Sequence, residues 1–281
     1  MIMAKTVSAL LPYFGADRMV AQQISDAIGP VKWLGIPCGG GMSILRYVHA
    51  SSIVVGDKHR MVINLALVVS DQRLRERLAS RLADTAFHPD VLSAAQEYCQ
   101  AELARPDARP ASPDSELAYR YFVAAWMGRS GITGTDDEFK GKISTRWTSS
   151  GGDSNTRFRS AITALAEFAT VMERCNFVVS DIFEFLELVK DEPKHAVYID
   201  VPWPGDGDSY RHKFSPEDQD RLAQAVVRFV KTRVVLRFGV HPDTDRRYPK
   251  ELWTRLPVTS RTQGNNGKAE MLLTNACRLE G

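Results

Sequence analysis

Cysteine is scarce in this sequence, and its spacing excludes two classes of protein. The chain of 281 residues contains four cysteines, Cys38, Cys99, Cys175 and Cys277, which are far apart and form no Cys-x-x-Cys pair. That spacing argues against a zinc site and against a disulfide framework. We therefore expect no bound metal, and a reducing, cytoplasmic setting is the simplest expectation.

The sequence also lacks long apolar runs and a strong charge of either sign. No stretch approaches the roughly 20 apolar residues that cross a bilayer, and the start of the chain has no signal-peptide pattern. The net charge of +2 is too small to indicate nucleic-acid binding by itself. Hydrophobic and charged contents of 44% and 25% are ordinary for a soluble globular protein. We expect no membrane partner, and the oligomeric state stays open.

The histidines share no spacing of the kind that a metal site needs. They include His59, His88, His195, His212 and His241, scattered along the chain. We expect them at the surface or at helix caps rather than as ligands.

A glycine-rich loop between two predicted strands is the first positive feature. Residues 31–36 favour a strand that runs into the loop Pro37, Cys38, Gly39, Gly40 and Gly41, and the apolar spacing at 44, 45, 47 and 48 then favours a helix. Residues 52–56 favour a second strand that ends at Asp57. Glycines there let the backbone approach a nucleotide-like ligand, and an acid after the second strand can hold ribose hydroxyls. The dinucleotide pattern Gly-x-Gly-x-x-Gly is not matched, which disfavours an NAD or FAD enzyme. A tight turn without a ligand would use glycines as well.

A carboxylate and a flat aromatic ring follow another predicted strand, at residues 196–200. The segment reads Asp200, Val201, Pro202, Trp203. Ligands bind at the carboxyl ends of the strands in an open α/β sheet. Asp200 and the Val201 carbonyl can accept the N–H bonds of an amino-bearing base, and Trp203 can stack on its face. The plainer alternative is a strand that ends in a turn, with the aspartate capping and the tryptophan packed.

The alternation of elements predicts the fold class. Further strands are expected at residues 176–180 and 233–238, with amphipathic helices at 161–174 and 215–231. This pattern predicts an α/β, Rossmann-like fold. An aromatic-rich helix at 118–127 is expected in the core.

The middle of the chain has a different character. Residues 71–127 are helical in pattern and have a net charge of −2, whereas the glycine-rich residues 128–159 have a net charge of +2. The candidate DNA-binding side chains of this basic stretch are Arg129, Lys140, Lys142, Arg146 and Trp147. Cations there could hold phosphates, and Trp147 or Arg146 could wedge toward bases. A solvated surface loop is the alternative.

Several of these motifs, in the same order over nearly the whole length, resemble the Dam-like DNA adenine-N6 methyltransferases. The segment from Tyr13 to Arg18 resembles the opening Tyr-Phe-Gly-Gly-Lys of that family, and Pro37–Gly41 resembles its cofactor motif Pro-Phe-x-Gly-Gly-Gly. Asp200–Trp203 stands where the family has Asp-Pro-Pro-Tyr. Weaker matches are Gly56-Asp57 with Asn64, residues 178–182, residues 210–222 with Phe214-Ser215, and Glu270 with Asn275.

The resemblance implies a methyltransferase that uses S-adenosylmethionine and acts on double-stranded DNA in a bacterial or phage-infected cell. It implies a Rossmann-like catalytic domain at 1–70 and 160–281 and a mostly helical target-recognition domain inserted at 71–159. The catalytic residues would be Asp200, Val201, Pro202 and Trp203. The cofactor-binding residues would be Tyr13, Phe14, Asp17, Pro37, Cys38, Gly39, Gly40, Gly41, Asp57, Asp181 and Ile182.

The sequence departs from the family pattern at positions that matter for chemistry. Asp17 and Ala16 replace the family's lysine and second glycine, Val201 replaces a proline, and Trp203 replaces a tyrosine, as in related enzymes that act on RNA adenine. Three alternatives therefore stay open. They are a methyltransferase-like protein that binds without turnover, a methyltransferase for cytosine N4 or RNA adenine, and an unrelated Rossmann-like enzyme for small molecules.

Overall fold

The computed structural model describes residues 7–15, 19–105, 112–128, 132–143, 153–204, 209–261 and 267–279. The strands are β1 (Trp33–Ile36), β2 (Ser52–Asp57), β3 (Cys175–Val179), β4 (His195–Ile199), β5 (Arg233–Gly239), β6 (Thr254–Arg261) and β7 (Gly267–Thr274). The helices are α1 (Ala21–Ile28), α2 (Arg60–Ser70), α3 (Gln72–Ala83), α4 (Pro89–Leu103), α5 (Ser115–Met127), α6 (Ser154–Met172), α7 (Ile182–Leu188), α8 (Pro216–Val227) and α9 (Pro242–Arg247).

These elements form two compact units. The sheet unit contains the described parts of residues 17–39, 47–58 and 174–281, and the helical unit contains those of residues 1–16, 40–46 and 59–173. The chain passes between the units at Gly39/Gly40, Arg46/Tyr47, Lys58/His59 and Glu173/Arg174, as well as near residue 16. The predicted domain boundaries near residues 70 and 160 stay a prediction.

The sheet unit is built on a doubly wound sheet. The strand order is β3-β2-β1-β4-β5-β7-β6. The first five strands in this order pair in parallel, and β7 is antiparallel to both β5 and β6. The direction of winding reverses between β1 and β4, and such a switch point is where open α/β sheets bind ligands. The structure thus confirms the predicted Rossmann-like α/β class.

The core of the sheet unit is one continuous cluster of buried hydrophobic residues. Val197 and Ile199 of β4, Val234 and Leu236 of β5, and Leu273 of β7 are fully buried against α7 and α8. Such apolar strands are typical of parallel sheets that are covered on both faces.

The helix α8 begins with a capping box between Ser215 and Asp218, with Pro216 at its first position.

The helical unit packs around α5. Ten of its thirteen residues are buried, including Tyr121, Phe122 and Trp126, which confirms the predicted aromatic core helix. The helix starts at the N-cap Asp114, whose backbone is held in turn by the buried Asn64 of α2. This helical region lies in the chain between β2 and β3, so the predicted mostly helical insertion is confirmed.

The predicted element positions differ from the structure mainly at their ends. The helix predicted at 215–231 ends at Val227, and the segment predicted as a helix after the glycine loop is a single 3-10 turn, Ser43–Arg46. No helix within the described residues has the length and apolar character that crossing a membrane requires.

Candidate functional site

Four side chains with functional chemistry follow the ends of neighbouring parallel strands. Asp57 is the last residue of β2, Asp200 directly follows β4, and Cys38 and Asp181 come two residues after β1 and β3. Since the carboxyl ends of parallel strands meet at one edge of the sheet, these residues lie together at the switch point. The arrangement agrees with the predicted placement of Cys38, Asp57, Asp181 and Asp200.

The resulting cluster is acidic. Burial raises the pKa of the Cys38 thiol well above its ordinary value, and the negative charges of Asp57, Asp200 and Asp181 raise it further, in that order. The same thiol thus experiences the fields of three carboxylates from three different strand ends. The cluster therefore favours a ligand that carries positive charge.

This environment predicts an unreactive Cys38. Only the thiolate attacks an alkylating agent, so we expect native Cys38 to react with iodoacetamide at pH 8 at least about tenfold more slowly than the exposed Cys277. Peptide mass spectrometry over time measures both rates in one sample. In urea the two rates should become similar. Equal rates in the folded protein would show that burial and the carboxylates together do not suppress the thiolate of Cys38.

Asp57 and Asp181 are both held by hydrogen bonds to the backbone of nearby residues. Asp57 is 8% exposed, and its carbonyl accepts a hydrogen bond from the Ser180 amide at 3.3 Å. Asp181 is the N-cap of α7, accepting from the Phe183 amide at 2.9 Å, and it forms an ion pair with Lys58 at 3.2 Å. Ile182 opens α7 and is buried in the core. Helix capping and core packing account for Asp181 and Ile182, and their cofactor contacts stay a prediction.

Asp200 is the partly exposed member of an otherwise buried ion triad with Arg237 and Glu270. An Arg237 Nη1 atom donates to the Asp200 carboxylate at 2.8 Å, and the Arg237 Nε atom donates to Glu270 at 2.9 Å. The side chains of Arg237 and Glu270 are 3% and 2% exposed, whereas that of Asp200 is 21% exposed. The Tyr198 hydroxyl also reaches Asp200, at 3.4 Å. The carboxylate is therefore oriented from the sheet side.

Trp203 is held by three contacts of different kinds. Its indole N–H donates to Asp200 at 3.3 Å, and the Arg237 guanidinium lies 5.2 Å from its ring centroid. Gly239 allows the ring to lie close to β5, because a Cβ atom there would be 2.9 Å from the indole. The ring is thus a fixed platform of the kind on which a planar base stacks.

The turn between these two residues is anchored to the core. The side chain of Val201 is 3% exposed and packs in the core of the sheet unit. The Pro202 carbonyl accepts a hydrogen bond from Gln219 of α8 at 2.7 Å. The Val201 side chain is therefore fixed by packing in the core.

Arg237 was not predicted from the sequence, and Tyr210 was noted only through the family resemblance. Burial and the charge of Asp200 raise the pKa of the Tyr210 hydroxyl, while Arg237 lowers it, so the tyrosine belongs to the same electrostatic cluster. The sequence contained one signal for its role: Arg237 is a charged residue within the apolar run 234–238, and a buried charge needs partners.

In the helical unit, Tyr13 packs between two glycine turns. The Tyr13 ring lies against Gly40 and Gly134, which have positive φ angles of 46° and 83°. At Gly134, a Cβ atom would be only 2.2 Å from the ring, so no other residue fits there. The Phe14 amide donates to the Thr133 carbonyl at 3.0 Å, and the Gly41 carbonyl accepts from Leu10 at 3.0 Å. The structure thus brings the predicted residues Tyr13, Gly40 and Gly41 together, and their cofactor contact stays a prediction.

His59 lies at the N-cap of α2, one of the two places expected for the histidines, but its side chain is buried. His59 is 1% exposed rather than at the surface, and its Nε2 atom lies 3.0 Å from the buried Glu138. Tyr121 donates to the same carboxylate at 2.9 Å. By contrast, His88 and His241 cap α4 and α9 through their ring nitrogens, which confirms the expectation for them.

The predicted DNA-binding residues are described only in part. Lys140 and Lys142 are exposed, and Lys140 forms an ion pair with Asp137 at 2.9 Å. Arg129, Arg146 and Trp147, like the predicted cofactor residue Asp17, lie outside the described residues. Among the residues described, no group of three or more histidine, cysteine, aspartate or glutamate side chains is arranged to hold a metal ion.

Comparisons with known proteins add little to this geometry. No family model matches the chain, and no curated protein matches it. Among solved structures, a candidate O-methyltransferase from Klebsiella pneumoniae is similar at 9% identity, with a TM-score of 0.37 over 92% of this chain and 78% of that one. Because a TM-score this low does not indicate a common fold by itself, the Rossmann-like assignment rests on the strand order.

Proposed function

We propose that this protein is an S-adenosylmethionine-dependent methyltransferase that acts on adenine N6 in double-stranded DNA. The observation that carries the proposal is the Asp200–Trp203 turn at the switch point of the sheet. There, a partly exposed carboxylate and a fixed indole ring lie side by side, 3.3 Å apart at the hydrogen bond that joins them. Family resemblance in the sequence supports the same reaction.

The acidic cluster fits the proposed cofactor. S-adenosylmethionine supplies an activated methyl group on a sulfonium and also carries an ammonium group, and both positive charges suit a site surrounded by Asp57, Asp181 and Asp200. Asp57 would hold the ribose hydroxyls from the end of β2. The loop Pro37–Gly39, tied to Gly56 by a hydrogen bond of 2.8 Å from Gly39, would bring backbone close to the ligand.

The Asp200–Trp203 turn has the groups that methylation of an amino group needs. The exocyclic nitrogen of adenine is a poor nucleophile, because its lone pair is delocalised into the ring. Asp200 and the Val201 carbonyl would each accept one of its N–H bonds and stabilise positive charge as it develops on the nitrogen. Trp203 would stack on the base after it leaves the duplex.

Double-stranded DNA is the proposed partner because the family resemblance implies it. An adenine in a duplex would have to flip out of the helix to reach Asp200 and Trp203. The exposed Lys140 and Lys142 would contact phosphates. Arg129, Arg146 and Trp147 belong to the same proposal on sequence grounds.

The proposal is tested by methyl transfer from labelled S-adenosylmethionine to unmodified double-stranded DNA and, in parallel, to RNA, with the product nucleoside identified after digestion. We expect N6-methyladenine and no label in DNA whose adenines were methylated beforehand. N4-methylcytosine, or labelling of RNA alone, would assign the activity to another amino group. Cofactor binding without transfer to either nucleic acid would overturn the enzymatic proposal in favour of a binding protein.

A further inference from the structure

We propose that Arg237 is a positioning residue that keeps Asp200 ionised and correctly oriented for accepting the amino group of the substrate. This inference rests on the proposed function. It goes further by assigning a role to a residue of β5 that lies outside the Asp200–Trp203 turn.

The pairing of the strands brings Arg237 to Asp200. Tyr198 and Ile199 of β4 pair in parallel with Val235 and Leu236 of β5. Continuing that register by one residue sets Asp200 beside Arg237, in agreement with their contact of 2.8 Å. The position of the guanidinium is therefore determined by the sheet rather than by a loop.

The far side of Arg237 is fixed by a second, fully buried carboxylate. Arg237 pairs in the sheet with Leu272, and Gly239 pairs with Glu270, so Glu270 is the diagonal neighbour of Arg237. The Nε and Nη2 atoms of Arg237 contact the Glu270 carboxylate, at 2.9 and 2.8 Å. Two bonds to one buried partner leave the guanidinium little rotational freedom. Its Nη1 atom is thereby aimed at Asp200.

Asp200 needs such a partner because its surroundings are acidic. The charged or titratable groups of the cluster that contains it are Cys38, Asp57, Lys58 and Asp181 at the strand ends, Tyr198 on β4, Tyr210, Arg237 on β5 and Glu270 on β7. The carboxylates of this cluster and partial burial favour uptake of a proton by Asp200. Arg237 opposes it as the cation in direct contact with Asp200, and the hydrogen bonds from Tyr198 and Trp203 act in the same direction. A protonated Asp200 would lose acceptor capacity toward an amino group.

The same guanidinium also lies against the stacking platform. Arg237 is 5.2 Å from the Trp203 ring centroid, and Gly239, two residues further on the same face of β5, contacts that ring. Arg237 thus touches both the carboxylate and the aromatic ring of the proposed site. Loss of Arg237 should affect both.

The test uses the double variant Arg237→Met/Glu270→Met, because a single change at Arg237 would leave Glu270 buried without its cation. We expect the acid limb of the kcat/KM profile for DNA methylation to move up by at least about one pH unit. Transfer should then be lost at a higher pH on the acid side of the profile and should recover as the pH rises. The matched control is Arg233→Met, an arginine of the same strand that donates to the Ile28 carbonyl at 2.8 Å. The acid limb of the kcat/KM profile of Arg233→Met should lie at the same pH as that of the unmodified protein.

A second measurement does not depend on activity. Carbon NMR of selectively labelled aspartate carboxyl groups follows protonation of Asp200, assigned by its disappearance in Asp200→Asn. We expect Asp200 to take up its proton at a pH at least about one unit higher in the double variant. An unchanged Asp200 titration in a folded double variant would overturn the inference. If the titration moves but neither protein methylates DNA, the role of Arg237 stands and the proposed reaction fails.

Discussion

Replacement of Asp200 by asparagine is expected to lower methyl transfer about 10²- to 10³-fold or more, in the range found when one preorganised polar group of an active site is removed. The amide keeps the shape of the side chain but loses the negative charge that stabilises the amino group as it becomes positive. Arg237 retains Glu270 as a partner, so the fold should survive. Single-turnover transfer of labelled methyl groups to DNA measures the loss.

The matched control for this prediction is Asp220→Asn. Asp220 also accepts from an arginine, Arg247 at 2.7 Å, but it lies on α8 and contributes no charge to the acidic cluster. We expect its transfer rate to stay within about twofold of the original. Asp200→Asn should still bind S-adenosylmethionine, with a much smaller loss of affinity than of transfer rate, because Asp57 and Asp181 keep their charges. Transfer by Asp200→Asn within tenfold of the original rate would remove Asp200 from the mechanism.

Replacement of Glu138 by leucine is expected to destabilise the protein by about 3–5 kcal/mol, the usual cost of breaking a buried ion pair on one side. Glu138 is 2% exposed, and it is surrounded by His59 and Tyr121, which are also buried. The change would leave the two donors of the cluster without their acceptor. Urea unfolding measures the change in the free energy of unfolding. As a control, Asp137→Asn, at the neighbouring exposed residue, should lower the free energy of unfolding by less than about 0.5 kcal/mol.

The same cluster predicts a pH dependence of stability. Burial raises the pKa of Glu138, but the charge of His59 and the hydrogen bonds from His59 and Tyr121 outweigh it, so the pKa is lowered. Because the pKa of Glu138 is lower in the folded protein than in the unfolded chain, its ionisation stabilises the fold at pH values above the unfolded pKa of about 4.3. This stabilisation is lost as the pH falls from there through the pKa of Glu138 in the folded protein. The unfolding midpoint of Glu138→Gln should fall less steeply below pH 5 than that of the original protein. Parallel curves would contradict this assignment.

The fold class was predictable because its signal is local. Apolar strands ending in Asp57, Asp181 and Asp200 can be read from runs of five or six residues, and the parallel arrangement then brings their ends to one edge of the sheet. The 3-10 turn at Ser43–Arg46 was predicted as a longer helix, because apolar spacing at 44, 45, 47 and 48 cannot distinguish one turn of helix from several. Element ends were the least predictable part.

The partners of the site residues were not predictable, because they depend on distant register. Arg237 meets Asp200 and Glu270 across 37 and 33 residues of sequence, through pairing with β4 and β7 that no local pattern specifies. The burial of His59 was not predictable for the same reason, since its partner Glu138 is 79 residues away. The sequence is compatible with the position of His59 at the N-cap of α2, but it does not show which part of the chain covers the side chain.

The position of the helical region between two neighbouring strands has a consequence for synthesis of the chain. β1 and β2 can pair as soon as they leave the ribosome, but their outer partners, β4 and β3, begin only at His195 and Cys175. At ordinary translation rates, residues 58–174 take on the order of ten seconds to make. During that time the nascent two-stranded ribbon has open edges on both sides, which invite pairing with other chains. Rapid growth at high expression should therefore favour aggregation before the sheet is complete, and slower expression at low temperature, or chaperones that shield strand edges, should raise the soluble yield.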